Sequence, residues 1–150
     1  MRVAKQVHGL EPFAFNSPFL ELIGPIHSKP NDTGITIGLQ IEERHCNRRG
    51  TAHGGVLTAI ADVTLGYSAG NGHVDVQLTT VALNIEYLGP AQVGRWVECA
   101  GCVTKFGRKI AHAQCVITSE GRDVARATGM FLVHRLVPGP SSDARIPEPS

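Results

Sequence analysis

The sequence has no excess of either charge. Its 150 residues include 14 Lys and Arg against 13 Asp and Glu, which leaves a formal net charge of +1. A chain this close to neutral produces no broad field that would hold a polyanion, and no run of basic residues is longer than two. The charge distribution therefore argues against nucleic-acid binding, which needs at least a local basic patch.

The sequence also lacks an apolar run long enough to span a membrane. The longest apolar stretch, 56–69, contains Asp62 and falls short of the about 20 residues that a transmembrane helix requires. The first eight residues place polar side chains where a signal peptide would have its apolar core. We expect a cytoplasmic protein that does not associate with membranes.

Residues that bind metals or form disulfides are few and poorly spaced. The four cysteines of a chain without a secretory signal are expected to be reduced thiols. Cys99 and Cys102 form a C-x-x-C, but strand alternation would direct them to opposite faces of a sheet. His45, Cys46 and His53 lack a fourth ligand for a zinc site. We predict that the protein uses no metal and no prosthetic group.

The composition is typical of a packed globular domain. Hydrophobic residues make up 42% of the chain and charged residues 18%, which are ordinary values. We expect residues 1–135 to form one domain, with 1–25 as an N-terminal extension packed on it. Four prolines after Val137 predict a flexible tail over 136–150.

Hydrophobic periodicity predicts two helices and six strands. Ser17 is expected to cap a short helix over 17–23, and the helix over 54–70 is apolar on nearly all sides, which predicts that it is buried. The strands are expected at 26–28, 34–43, 77–88, 94–106, 109–119 and 123–134. We therefore predict an α+β fold in which a long antiparallel sheet wraps around one buried central helix.

Asp62 is the most informative residue of the long helix. It is the one acidic residue among apolar neighbours, and the helical positions next to it carry no Lys or Arg. A buried carboxylate is costly unless it is paired or used in chemistry. The sequence leaves two interpretations open, a reacting carboxylate or a structural one on a narrow polar face with Thr58.

The segment that enters this helix is rich in glycine and polar groups. Gly54 and Gly55 would present free backbone N–H groups at the positive end of the helix, which is a favourable site for an anion or an oxyanion. Asn47 offers an amide that can position a water or a carbonyl, and Gly50 allows the loop to fold close to the helix. The alternative is an ordinary glycine-rich helix start.

The pattern Asn47-x-x-Gly50-x-x-His53-Gly54-Gly55, followed after six residues by Asp62, resembles the hotdog-fold acyl-CoA thioesterases of the phenylacetate-degradation (PaaI) type. The resemblance continues in Asn84-Ile85-x-Tyr87-Leu88 and Pro90-Ala91 and covers about residues 34–134. It implies a hotdog fold and places Thr80 at the position of the family's second polar catalytic residue.

The resemblance implies hydrolysis of an acyl- or aryl-CoA thioester to the carboxylic acid and free coenzyme A. Asp62 would be the nucleophile or the general base, and the N–H of Gly54 would stabilise the oxyanion. Asn47 and Thr80 would position the water or the carbonyl. The expected substrate-binding residues are His53, Gly55, Arg48, Arg49, Arg108 and Lys109.

The spacing of Gly54 and Asp62 adds a prediction about assembly. Eight residues of helix separate the two by about 12 Å along the axis, so one thioester cannot contact both within one subunit. We expect a homodimer, or a tetramer built as a dimer of dimers, in which sites are shared between subunits.

Two other functions stay open. One is hydration or dehydration of an enoyl-CoA, for which the related branch has Asp-x-x-x-x-His, whereas the next histidine after Asp62 is His73. The other is a non-catalytic acyl-CoA-binding module, in which Asp62 would be dispensable.

Overall fold

The computed structural model describes residues 7–137. They form one seven-stranded antiparallel sheet in the order β1-β2-β3-β5-β6-β7-β4, with a long helix packed on it. The elements are β1 (Glu11–Pro12), α1 (Pro18–Ile23), β2 (Ile26–Asn31), β3 (Gly34–Gln40), a 3₁₀ helix (Glu43–His45), α2 (Gly54–Ala69), β4 (Val76–Tyr87), β5 (Trp96–Phe106), β6 (Ile110–Ser119) and β7 (Arg122–Arg135). The predicted α+β architecture, a long sheet around a central helix, is confirmed.

Helix α2 covers the apolar face of the sheet with one side. Its buried residues include Leu57, Ile60, Ala61 and Leu65, which pack against the core side chains of the strands. The expectation that α2 is buried on nearly all sides is wrong for the opposite face, because β4 lies at the end of the sheet and leaves a groove beside the helix. There Tyr67 is 41% exposed.

The first hairpin differs from the prediction in the position of its turn. The strands predicted at 26–28 and 34–43 leave residues 29–32 as the expected turn. Of these, Lys29, Pro30 and Asn31 belong to β2, and the chain reverses at Asp32 and Thr33. Pro30 is tolerated because β1 pairs only with His27 and Ser28, so β2 is an edge strand at Pro30 and lacks no ladder bond there. The side chain of Asn31 then accepts a hydrogen bond from the backbone N–H of Thr33 at 3.0 Å.

The N-terminal segment packs on the sheet and on α2. Ser17 caps α1 as predicted, since its Oγ accepts a hydrogen bond from the N–H of Leu20. Leu10 and Phe13 are buried, and the two-residue strand β1, which the periodicity did not predict, pairs with β2. Residues 1–6 and 138–150 lie outside the described part of the chain, and with them most of the predicted tail. The domain bounds stay a prediction.

The cysteines follow the predicted alternation along β5. Cys99 is fully buried, whereas Cys102 lines a groove on the opposite face of the sheet. Burial raises the pKa of the Cys99 thiol well above its usual value, and the neighbouring Cys115 adds to the rise. All four cysteines are free thiols in the structure.

Among residues 7–137, no helix combines the length and the apolar character needed to cross a membrane.

Candidate active site

The first turn of α2 leaves one backbone donor free. His53 caps the helix: its Nδ1 accepts a hydrogen bond from the N–H of Gly55 at 2.8 Å, and its carbonyl accepts from the N–H groups of Val56 and Leu57. The N–H of Gly54 has no acceptor within residues 7–137. A helix start has four backbone N–H groups without a partner in the regular helix pattern. Here those of Gly55, Val56 and Leu57 bond to His53, so the N–H of Gly54 is the one available to a ligand at the positive helix end.

Tyr87, at the end of β4, holds the start of α2 in place. Its hydroxyl donates a hydrogen bond to the carbonyl of Gly54 at 3.1 Å and lies 2.5 Å from the hydroxyl of Thr58. A Cβ at residue 54 would lie 3.0 Å from Cζ of the Tyr87 ring. A side chain at residue 54 would crowd the Tyr87 ring, so Gly54 allows this close approach. The sequence did not reveal this role, because Tyr87 lies in a strand far along the chain.

Asn47 shapes the loop that leads to Gly54. Its Oδ1 accepts a hydrogen bond from the N–H of Arg49, and its Nδ2 donates one to the hydroxyl of Thr51, both at 2.9 Å. Gly50 has a φ of +75°, which glycine adopts without strain. The loop and the first turn of α2 line one cavity of about 670 Å³, which includes Asn47, Arg49, Gly54 and Tyr87.

Asp62 lies in the middle of α2 and is held by Thr80 of β4. The Thr80 hydroxyl donates a hydrogen bond to Oδ1 of Asp62 at 2.8 Å, and Oδ2 has no partner in the described part of the chain. The Thr58 hydroxyl, one turn earlier on the same face of α2, donates its hydrogen bond to the carbonyl of Gly54. Asp62 and Thr80 line a second cavity, a groove of about 450 Å³.

A β-bulge in β4 directs Thr80 toward the helix. Thr80 pairs with Phe131 and Ala82 pairs with Met130, so Val81 is an extra residue in β4. Leu78 and Thr80 face α2 before the bulge, and Leu83 and Ile85 face it afterwards. The inserted residue reverses the alternation of the strand, which is how bulges redirect side chains beside functional sites.

The two cavities share no lining residue. One contains the free N–H of Gly54 and the other contains the Asp62 carboxylate, at opposite ends of a helical span of about 12 Å. The predicted basic residues divide in the same way. Arg49 lines the first cavity, and Arg48 precedes Arg49 in the loop. Arg108 and Lys109 lie in the turn between β5 and β6. The Lys109 carbonyl accepts a hydrogen bond from the N–H of Val133, which pairs with Leu78 of the groove.

The four predicted basic residues are exposed, and none forms an ion pair with residues 7–137. In the same part of the chain, no three His, Cys, Asp or Glu side chains are grouped as ligands for a metal ion. The absence of a cofactor stays a prediction.

Residues 49–125 match the family described as the thioesterase superfamily. A putative esterase of Pseudomonas aeruginosa is 39% identical to this chain over 125 residues, which cover 82% of the chain and 93% of the relative. The chain belongs to the thioesterase superfamily. This membership confirms the resemblance found in the sequence and the expected enzymatic class, a thioester hydrolase.

More distant relatives of this thioesterase agree with the assignment. Acyl-coenzyme A thioesterase 13 of Mus musculus is 26% identical over 96 residues, which cover 64% of this chain and 69% of the relative. Among solved structures, a mutant of the phenylacetic acid degradation protein PaaI from Thermus thermophilus superposes with a TM-score of 0.70 at 26% identity, covering 77% of this chain and 98% of that one. The fold and the order of its elements are therefore those of the superfamily.

Proposed function

We propose that this thioesterase hydrolyses acyl- or aryl-CoA thioesters to the carboxylic acid and free coenzyme A. The observation that carries the proposal is the Asp62 carboxylate, which the Thr80 hydroxyl orients at 2.8 Å while one oxygen stays without a partner in residues 7–137. A coenzyme A substrate is supported by the acyl-coenzyme A thioesterase among the relatives.

Asp62 acts as the general base or as the nucleophile. As a base, it takes a proton from a water whose oxygen bonds to the thioester carbon; the C–S bond then breaks, and the proton goes to the departing thiolate. As a nucleophile, Asp62 bonds through one oxygen to the thioester carbon, and the C–S bond breaks to release the thiolate of coenzyme A. Water then hydrolyses the acyl-enzyme anhydride to the carboxylic acid and free Asp62, and the proton that this releases goes to the thiolate. Either route works without a strong acid catalyst, because a thiol with a pKa of about 8.5 is a good leaving group.

The N–H of Gly54 stabilises the oxyanion that forms on the carbonyl oxygen. A single donor of this kind contributes about 2.7–4 kcal/mol to lowering a barrier. Thr80 orients Asp62, and Asn47 positions the carbonyl or the water from the loop. The N–H of Gly55 donates a hydrogen bond to Nδ1 of His53. The two residues therefore contribute to substrate binding by fixing the conformation of the first turn of α2.

The complete site requires two copies of the chain. Asp62 and Gly54 lie in separate cavities, and a C₂ dimer would bring the groove of each copy to the helix start of the other. Strand β4 supports such a dimer. It runs for 12 residues and, among residues 7–137, ends the sheet and pairs with β7 alone, and an unpaired edge of this length favours pairing with another chain. We propose a dimer or a dimer of dimers.

The exposed cations complete the proposed site. Arg48 and Arg49 would contact the phosphates of coenzyme A beside the helix start, and Arg108 and Lys109 would do so from beside the groove of the other subunit.

The cytoplasmic location stays a prediction that cell fractionation tests.

The test is release of free thiol from short, medium, long and aromatic acyl-CoA substrates by the wild-type protein and by Asp62→Asn. Asparagine keeps the shape of the side chain but can neither attack nor accept the proton, so kcat should fall by about 10²–10⁴-fold with little change in substrate binding. Asp75→Asn, an exposed change outside both cavities, is the matched control and should keep wild-type turnover.

Three outcomes would contradict the proposal. Wild-type turnover by a verified Asp62→Asn sample would make Asp62 a structural carboxylate. Binding of acyl-CoA without any thiol release would favour the binding module. Hydration of an enoyl-CoA without thiol release would favour the hydratase.

A further inference from the structure

Besides Asp62 and Thr80, the groove contains two polar side chains, His73 and Gln77, and its other walls are apolar or aromatic side chains and glycines. Its walls beyond Asp62 and Thr80 include Val63, Leu78 and Phe131. No Lys or Arg of residues 7–137 lines it. An acyl group with its own carboxylate would meet the charge of Asp62 without a Lys or Arg in the groove lining to pair with, whereas an uncharged apolar acyl group would be buried favourably.

The floor of the groove is kept open by two glycines. Gly66 and Gly70 follow Asp62 at intervals of four residues and therefore share its face of α2. A Cβ at Gly66 would lie 3.5 Å from Phe131, and a Cβ at Gly70 would lie 3.5 Å from Leu78, so the core has room for alanine at both. Gly66 lies inside the helix, where glycine is destabilising relative to alanine, whereas Gly70 is the residue that caps the end of α2. The two glycines leave open space in the groove for about 12 Å along the helix axis beyond Asp62.

One wall of the groove is held in place by the N-terminal segment. Tyr67 lines the groove, its ring stacks on Phe15 with centroids 5.3 Å apart, and Phe13 meets it edge-on at 5.2 Å. Phe13 is buried and its N–H donates to the carbonyl of Ile26 at 2.9 Å, so it anchors the cluster. Both phenylalanines lie outside the segment that matches the superfamily.

We infer that this groove binds uncharged, apolar acyl chains that extend past Gly66, and that Gly66 and Tyr67, the latter positioned by Phe15, determine specificity. The inference rests on the proposed function and adds the substrate class. The N-terminal segment thus shapes the acyl site, although it lies outside the part of the chain that carries the reacting groups.

The experiment compares kcat/KM for acetyl-CoA, decanoyl-CoA and succinyl-CoA. The wild-type protein should prefer decanoyl-CoA to both others. Gly66→Leu fills the floor and should lower kcat/KM for decanoyl-CoA by about tenfold or more, because even one methylene changes discrimination by roughly 10–200-fold, while acetyl-CoA should be nearly unaffected. Gly66→Ala gives a smaller change of the same sign and should not lower the Tm, so it tests the floor even where the leucine variant folds poorly.

Phe15→Ala removes the support of Tyr67 and should lower kcat/KM for decanoyl-CoA by roughly 2–10-fold, the effect of one aromatic pair. The matched control is Phe19→Ala. Phe19 is 57% exposed, close to the 63% of Phe15, but it does not line the groove and has no ring partner in residues 7–137. Phe19→Ala should therefore leave the substrate preference unchanged.

Calorimetric binding of the same thioesters to Asp62→Asn separates recognition from turnover. If the wild-type protein released thiol but Gly66→Leu, Gly66→Ala and Phe15→Ala changed all substrates equally, the inference about the groove would fail and the proposed function would stand. If no thioester were turned over but Asp62→Asn bound decanoyl-CoA more tightly than acetyl-CoA, the proposed function would fail and the groove would stand. A higher kcat/KM for succinyl-CoA than for decanoyl-CoA in the wild-type protein, where the charge of Asp62 is present, would overturn the inference directly.

Discussion

The first turn of α2 and its middle are built in opposite ways. At the first turn, His53, Tyr87 and the loop at Asn47 satisfy the nearby polar groups and leave the N–H of Gly54 as the free donor among residues 7–137. In the middle, one carboxylate with one hydroxyl partner borders a groove whose other polar side chains are His73 and Gln77. The first region offers a hydrogen-bond donor, and the second offers a base or nucleophile.

The distance between the two regions is itself informative. A carboxylate close to the first turn would be stabilised by the positive helix end and would pair with the free N–H. About 12 Å along the axis prevents this pairing within one chain, so both groups stay available to a substrate. In the proposed dimer, each helix carries both groups, and each site combines Gly54 of one chain with Asp62 of the other.

After the loss expected for Asp62→Asn, the largest expected effect comes from removing the donor at the first turn with Gly54→Pro. Proline is tolerated at the first position of a helix, and the extended ψ of 139° at His53 suits a residue before proline. Loss of the oxyanion donor should lower kcat by about 10²–10³-fold. Gly54→Ala, which crowds Tyr87 but keeps the N–H, should lose less. Equal losses in steady-state thiol release would point to crowding instead.

Mixed dimers test whether the two regions act together across chains. Gly54→Pro and Asp62→Ala chains, each inactive alone, should regain activity when mixed, because one of the two shared sites would then contain an intact Gly54 and an intact Asp62. Thiol release after mixing measures the recovery, and mass spectrometry of differently tagged chains verifies subunit exchange. Exchange without recovery would rule out the shared site.

An intermediate effect is expected from Thr80→Ala in the middle region. Loss of a hydrogen bond to a charged group costs about 1.5–3 kcal/mol, so kcat should fall by roughly 10–100-fold while KM changes little. Thr80→Ser should restore most of the activity. Thr79→Ala is the matched control, since the Thr79 hydroxyl bonds to His134 instead. A loss that serine did not restore would argue against orientation by the hydroxyl.

A smaller effect, on stability, is expected from His53→Ala. The N-cap hydrogen bond to Gly55 would be lost, at a cost of about 0.5–2 kcal/mol in the free energy of unfolding. Urea denaturation measures this change, and His53→Asn should recover much of it because asparagine is a strong N-cap. His134→Ala, an exposed substitution, is the control. An unchanged midpoint for His53→Ala would show that the cap contributes nothing.

The smallest effect is expected from the cysteines, which lie outside both regions. Because burial raises the pKa of Cys99, little reactive thiolate forms at neutral pH, and iodoacetamide should label Cys102 well before Cys99 in the folded protein. Cys102→Ser should leave kcat unchanged. Mass spectrometry of labelled peptides, with a denatured sample as control, follows both thiols. Equal labelling of the two in the folded state would contradict the burial argument.

Local patterns along the chain predicted most of the elements and the main candidate residues. The periodicity located α2 and the four long strands to within about two residues at each end, since each element repeats its apolar positions at its own period. Gly54 and Asp62 stood out for local reasons, a glycine pair at a helix start and a carboxylate among apolar residues. The turn at Lys29-Pro30-Asn31 was misplaced, because an edge strand accepts a proline that a central strand would exclude.

The chain's local chemistry thus determines the fold class, the helix that carries the candidate groups, and their separation along it. Tertiary structure alone decides which residues meet them. The bulge at Val81 directs Thr80 to Asp62, Tyr87 closes on Gly54 from the far end of β4, and Phe15 supports the groove through Tyr67. These contacts join residues 18 to 52 positions apart, and they depend on strand register and sheet order, which no local period encodes.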